Sequence, residues 1–154
     1  MLPLMMAAAL AMQAPGQDAA TRPAQAASAV PSAPAIPPAN ESQAASAPAA
    51  RAWLALVDAG NWDESWRGAG TLFRTRLDQT GWASMIAPVR QPLGGVIARQ
   101  YSDVAAFTKL PDAPDGRYEI VRFTTDFHAK ADALETVVMM KEQADWKVVG
   151  YFIR

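Results

Sequence analysis

The sequence predicts an α+β domain, with N-terminal helices packed on a curved four-stranded antiparallel sheet, behind a long stretch not expected to fold. Three observations carry this. All five Trp, and all but three of the charged residues, lie beyond residue 50. Between residues 48 and 88 the large apolar side chains recur at helical spacing. From residue 96 onward the pattern changes to alternation. The last 22 residues, 133–154, read as two strands rich in β-branched and aromatic residues, joined by a tight turn at 143–145.

The N-terminal stretch divides in two. Residues 1–12 hold an apolar run, Leu2 to Met12, of the length of a signal-peptide core and too short to cross a bilayer as a helix. Ala9-Leu10-Ala11 supplies a small-x-small cleavage pattern, although no Lys or Arg precedes the run. Residues 13–47 are almost entirely Ala, Pro, Ser and Gln, and eight of the twelve prolines fall in the first fifty residues. Such a segment lacks the apolar side chains that offset the entropy of ordering, so a disordered, semi-stiff linker is expected. The folded domain is assigned to 48–154.

Pro48 suits the first turn of a helix, which Trp53, Leu56 and Val57 continue on one face and Gly60 ends. Asn61 is placed to cap a second helix, with Asp63 and Glu64 at its positive end. Trp66, Leu72 or Phe73, and Leu77 line its buried side, and Gly68 and Gly70 weaken its middle. A third helix is expected after Thr80, burying Trp82, Met85 and Ile86 and stopped by Pro88. Trp53, Trp62, Trp66 and Trp82 are read as core in preference to a stacking platform.

Residues 90–95, Arg-Gln-Pro-Leu-Gly-Gly, break both helix and strand and turn the chain into the sheet. Strands are expected at 96–103, extending to 110 after a bulge, at 118–127, from about 133 and again to 154. The Pro-Asp-Ala-Pro-Asp-Gly run at 111–116 marks the first hairpin, and a loop at 128–132 leads into the C-terminal pair. Strict alternation puts Trp146, Val148 and Phe152 on one face of the last strand and Val149, Tyr151 and Ile153 on the other. Helices cover one face only. The expectation is therefore a homodimer formed through the sheet, centred on its last strands.

Composition narrows the chemistry. Residues 51–154 hold 13 Lys plus Arg against 13 Asp plus Glu, and a neutral domain offers no long-range attraction for nucleic acid. The absence of Cys excludes a disulfide framework, a thiolate metal site, a Cys nucleophile and a lipid-modified N-terminal Cys. Phosphate-loop, dinucleotide, zinc-protease and serine-elbow patterns are missing, and one His argues against a protein zinc site. No catalytic residue, metal or cofactor is assigned. His128, with Asp126 on the same strand face, is a candidate base whose plainer reading is an exposed strand-end His. Glu135, at the start of an apolar strand, reads as an ion-pair partner of Arg90 or Arg122, or as a pocket carboxylate.

Several stretches together resemble a known family. They are Arg90 with Pro92-Leu93-Gly94, Leu110-Pro111, Pro114-Asp115-Gly116 with Tyr118, Phe123 to Phe127 with Lys130, Glu135-Thr136-Val137, and Trp146 with Gly150-Tyr151. The family is the bacterial domain of unknown function 4019, and the resemblance spans about residues 50–154. Asp112 and Gln91 depart from its pattern, both in turns. The resemblance implies a nuclear-transport-factor-2-like (cystatin-like) shape with a pocket, and a periplasmic or secreted location. Arg90, Tyr118, Glu135 and Tyr151 are taken as the pocket candidates. Three readings stay open. One is an exported, non-catalytic binding or accessory module for an envelope protein or small apolar ligand. The others are a small enzyme using a pocket carboxylate or His, and an interaction domain docking through its sheet.

Overall fold

A computed structural model describes residues 44–154. The signal-like segment and all but the last few residues of the expected linker lie outside the described residues. Four helices come first: α1 (Ala47–Asp58), α2 (Trp62–Gly68), α3 (Thr71–Arg76) and α4 (Gln79–Arg90), the last running into a single 3-10 turn at Gln91–Leu93. Four strands follow, β1 (Val96–Phe107), β2 (Tyr118–Phe127), β3 (Lys130–Glu142) and β4 (Asp145–Ile153). They form one antiparallel meander in the order β1-β2-β3-β4. The α+β reading holds. No helix among the described residues is long and apolar enough to cross a membrane.

The α1 helix buries Ala47, Ala50, Trp53, Leu54 and Val57, a stripe at i, i+3, i+4 and i+7. Full burial of Leu54 and Val57 contributes about 1.5–3 kcal/mol each. It starts just ahead of Pro48 and is tied to the sheet there: the Ser46 amide and hydroxyl both donate to Glu119 Oε2, at 2.9 and 2.6 Å. Gly60 follows with φ +72°, a conformation that only Gly adopts without cost.

The expected second helix is in fact two. Ala69 is extended between α2 and α3, and the Gly70 amide donates to Val148 O at 2.7 Å. A Cβ on Gly70 would lie 2.7 Å from Glu142 Oε1 and 2.9 Å from Val149 Cγ1. The helix stops so that bare backbone can dock on the edge of β4, covering part of an otherwise open strand. Asp78, not Thr80, caps α4, its Oδ1 accepting from the Gly81 amide at 2.6 Å. Pro88 does not stop α4. It removes one ladder bond in the final turn, and the helix continues to Arg90.

Between the layers, Trp53, Phe73, Trp82 and Tyr151 pack mostly edge-to-face, with Phe73–Trp82 centroids 5.1 Å apart and Trp53–Tyr151 5.5 Å. Ser65 satisfies the buried indoles: Trp53 Nε1 donates to its carbonyl at 2.7 Å and Trp82 Nε1 to its hydroxyl at 2.9 Å.

Two features of the sheet correct the sequence reading. A two-residue turn, His128-Ala129, replaces the expected longer loop, and β3 begins at Lys130. In β4 the register shifts, with Val138 opposite Gly150 but Met139 opposite Val148. This bulge resets the alternation. Val148 is buried opposite buried Met139, and Tyr151 lies opposite buried Val137, so both face the helices. Phe152 is left outward and 64% exposed. The grouping of Trp146, Val148 and Phe152 on one face is therefore wrong, and the outer face of β4 is less apolar than strict alternation implied.

Candidate functional site

The inward face of the sheet carries three polar side chains on adjacent strands: Arg99 on β1, Thr125 on β2 and Glu135 on β3. Each sits at an inward position because its strand neighbours Tyr101, Phe123, Phe127 and Val137 do. Glu135 and Thr125 are completely buried. Glu135 Oε2 accepts from Arg99 Nε at 2.7 Å and from the Thr125 hydroxyl, and its Oε1 accepts from the Tyr151 hydroxyl at 2.6 Å. A carboxylate in that position is tolerated because both oxygens are bonded and a cation is adjacent.

The network reaches the helices through Asp58 at the end of α1. Arg99 grips it with both terminal nitrogens, Nη1 to Oδ2 at 2.7 Å and Nη2 to Oδ1 at 2.9 Å. Arg90, at the end of α4, donates to Asp58 Oδ1 at 2.5 Å and stacks its guanidinium 4.3 Å from the centroid of the Phe127 ring. Two arginines thus balance two carboxylates across α1, α4 and three strands. Burial opposes charge on Arg99, but hydrogen bonds to Asp58 and Glu135 outweigh it and hold the guanidinium above its ordinary pKa. Burial, then the adjacent Glu135 carboxylate, pushes the Tyr151 phenol up.

One donor set is not used up. Arg90 Nε and Nη1 are buried and have no partner among the described residues. Arg90 also lines a cleft of about 320 Å³, walled by Val57, Asp58, Gly60, Trp62, Gln91 and the Gly94-Gly95 pair. A second, open cleft of about 460 Å³ is also lined by Gly60 and Trp62, with Asn61, Asp63, Glu64 and Arg67. Between α4 and β4, Trp82, Met85, Ile86, Val89, Tyr151 and Ile153 line a smaller apolar cleft of about 180 Å³.

Of the four pocket candidates, the structure joins three. Glu135 and Tyr151 touch directly, and Arg90 connects through Asp58 and Arg99. Tyr118 stands apart: its hydroxyl donates to Pro114 O at 2.6 Å, closing the first hairpin loop. The expected partners of Glu135 are corrected. It pairs with Arg99, not directly with Arg90, while Arg122 pairs with Asp103 on the outer face. Asp126 does not orient His128; its Oδ1 accepts from the Asp132 amide, bracing the β2–β3 turn. His128 instead packs against Gly94 and Gly95: a Cβ on Gly94 would lie 3.1 Å from His128 Cβ, and one on Gly95 3.3 Å from its ring Cδ2.

Sequence reasoning missed Asp58, Arg99 and Thr125. A usable signal existed for two of them, since Arg99 shares the parity of Tyr101, and Thr125 that of Phe123 and Phe127. Polar residues at inward positions of neighbouring strands must find each other. Asp58 carried no such signal, because only the docking of α1 brings its end to β1.

The model of a family described as "Protein of unknown function (DUF4019)" matches residues 49–151. No curated protein and no solved structure matches the chain. The family match takes in α2 to β3 complete and all but the ends of α1 and β4, so the chain belongs to the DUF4019 family.

Proposed function

We propose that this chain is an exported, non-catalytic binding or accessory module, with its ligand seat in the cleft between the ends of α1 and α4. What supports the reading is how the titratable groups are used. Glu135 has both oxygens occupied and is shut off from solvent, and Tyr151 spends its proton on Glu135. A general base must lie within reach of substrate, which full burial under three hydrogen bonds denies Glu135. The arrangement is a neutral strut that shapes the cleft wall and leaves Arg90 with donors to spare. A nuclear-transport-factor-2-like shape fits the order of helices and meander, and the signal-like N-terminus fits export to the periplasm or medium.

A titration of the labelled full chain with a panel of small neutral, anionic and cationic compounds tests this. Amide shifts should gather at Gly60, Trp62, Gly94 and Gly95, with the compound recovered unchanged. Turnover that Glu135→Gln abolishes would instead establish the enzyme reading. Export is checked separately by the N-terminal sequence and compartment of the protein from its native host.

The outer sheet face supports a second reading, a homodimer. Phe152 and Phe107 are 64% and 41% exposed, and Ile120, Val138 and Met140 lie half-buried between them. Phe152→Asp should shift a dimer to a folded monomer in sedimentation. A wild-type monomer at high micromolar concentration removes the idea.

A further inference from the structure

Trp62 behaves unlike the other helical tryptophans. Trp53, Trp66 and Trp82 each donate their indole N–H to a partner inside the fold. Trp62 is only half-buried, carries no indole hydrogen bond among the described residues, and forms the shared wall of the two polar clefts. The two clefts it lines carry groups of both hydrogen-bonding senses. Asp58, Asp63 and Glu64 accept, Arg90 and Arg67 donate, and Asn61 and Gln91 do both.

We propose that this double cleft binds a neutral saccharide, with one sugar ring stacked on Trp62 and its hydroxyls shared between Asp58, Gln91 and Arg90. The inference rests on the cleft being the ligand seat. Charge selects the class. Arg90 and Arg99 are balanced by Asp58 and Glu135, so an anionic ligand would leave an excess negative charge beside Asp58, Asp63 and Glu64. A cationic ligand gains little, since Arg67 offsets one of the Asp63 and Glu64 carboxylates and all three lie exposed at the rim, where water screens them. A hydroxyl donates and accepts at once, which matches a wall of mixed donors and acceptors. The flat, apolar face of a sugar ring matches a half-buried indole that lines both clefts and has no indole hydrogen bond among the described residues.

The orphan donors of Arg90 fit the same scheme. A buried N–H without a partner costs stability until an acceptor reaches it. Both atoms are buried, so a ligand hydroxyl reaches them only where the cleft wall opens. Gly60 keeps the rim low beside Trp62.

The test follows the Trp62 indole N–H and the Gly94 and Gly95 amides of the full chain by NMR. The probes are maltotriose and the neutral N-acetylglucosamine trimer, with glucuronate, acetate and choline as charged comparisons. The expected result is saturable shifts at these signals with a neutral probe and weaker or no shifts with the charged ones. Trp62→Ala should weaken binding at least about tenfold, with the indole signals of Trp53 and Trp82 reporting an intact fold. If that variant does not fold, Gln91→Ala at the exposed rim should still weaken binding several-fold. Shifts with acetate, glucuronate or choline but not with neutral sugars overturn the saccharide assignment and leave the binding reading standing. No shift with any probe at tens of millimolar overturns the saccharide assignment as well. The wider compound panel then decides the binding reading by itself.

Discussion

Two arginine–carboxylate pairs bridge neighbouring parts of the same sheet, one on each face. On the helix-covered side Arg99 meets Glu135 at 2.7 Å, with side chains 9% and 0% exposed. On the open side Arg122 meets Asp103 at 2.5 Å, with side chains 41% and 29% exposed. The chemistry and the spacing are nearly the same. The surroundings are not, and they decide what each pair does. Water competes for every bond of the outer pair, so its net contribution is small. The inner pair gave up its hydration on folding and is held by Thr125, Tyr151 and Asp58. Its attraction is largely offset by that lost hydration, yet removing one member leaves a buried charge alone.

The largest expected effect is therefore at Glu135. Glu135→Ala should cost about 3–5 kcal/mol, a large share of the 5–15 kcal/mol typical of a domain, measured by urea unfolding. A loss below about 1 kcal/mol would make the two pairs equivalent and end the comparison. Replacing both charges, as Arg99→Met with Glu135→Leu, should recover part of that loss, since a buried pair exchanged for apolar groups often costs little. If the double variant is as unstable as the single one, Asp58 depends on Arg99 as much as Glu135 does.

Tyr151→Phe comes next. It removes one donor from Glu135 and should cost about 1–2 kcal/mol. It also changes the alkaline limb. The folded state holds the Tyr151 proton more tightly than the unfolded chain does. The contribution is then fully present below about pH 10, where an unperturbed phenol titrates. Above that the unfolded chain ionises first and stability falls as pH rises. The difference between wild type and Tyr151→Phe should shrink above about pH 10; a constant difference would mean that the phenol titrates normally.

The smallest effect belongs to the outer pair. A double-mutant cycle on Arg122→Ala and Asp103→Ala should give a coupling below about 1 kcal/mol, weakened further by salt. A salt-insensitive coupling above about 2 kcal/mol would show that this face is covered in solution, which the homodimer reading requires.

Much of this was legible in the sequence for a local reason. Helix stripes, strand alternation, the Pro-Asp-Ala-Pro-Asp-Gly turn and the position of β2 follow from residues a few places apart, where backbone geometry and side-chain spacing are fixed together. The same local logic marked Arg90, Glu135 and Tyr151. It failed where the answer lay in distant chain. The β4 bulge depends on how Val148 and Gly150 meet β3, and the break at Ala69-Gly70 on how α3 docks against β4. The partner of Glu135 depends on a register 36 residues away, and Asp58 reaches Arg99 across 41. Contacts of that separation form only once packing sets the strands side by side, so sequence alone determined which residues had to be buried, and tertiary structure decided which buried charges would meet.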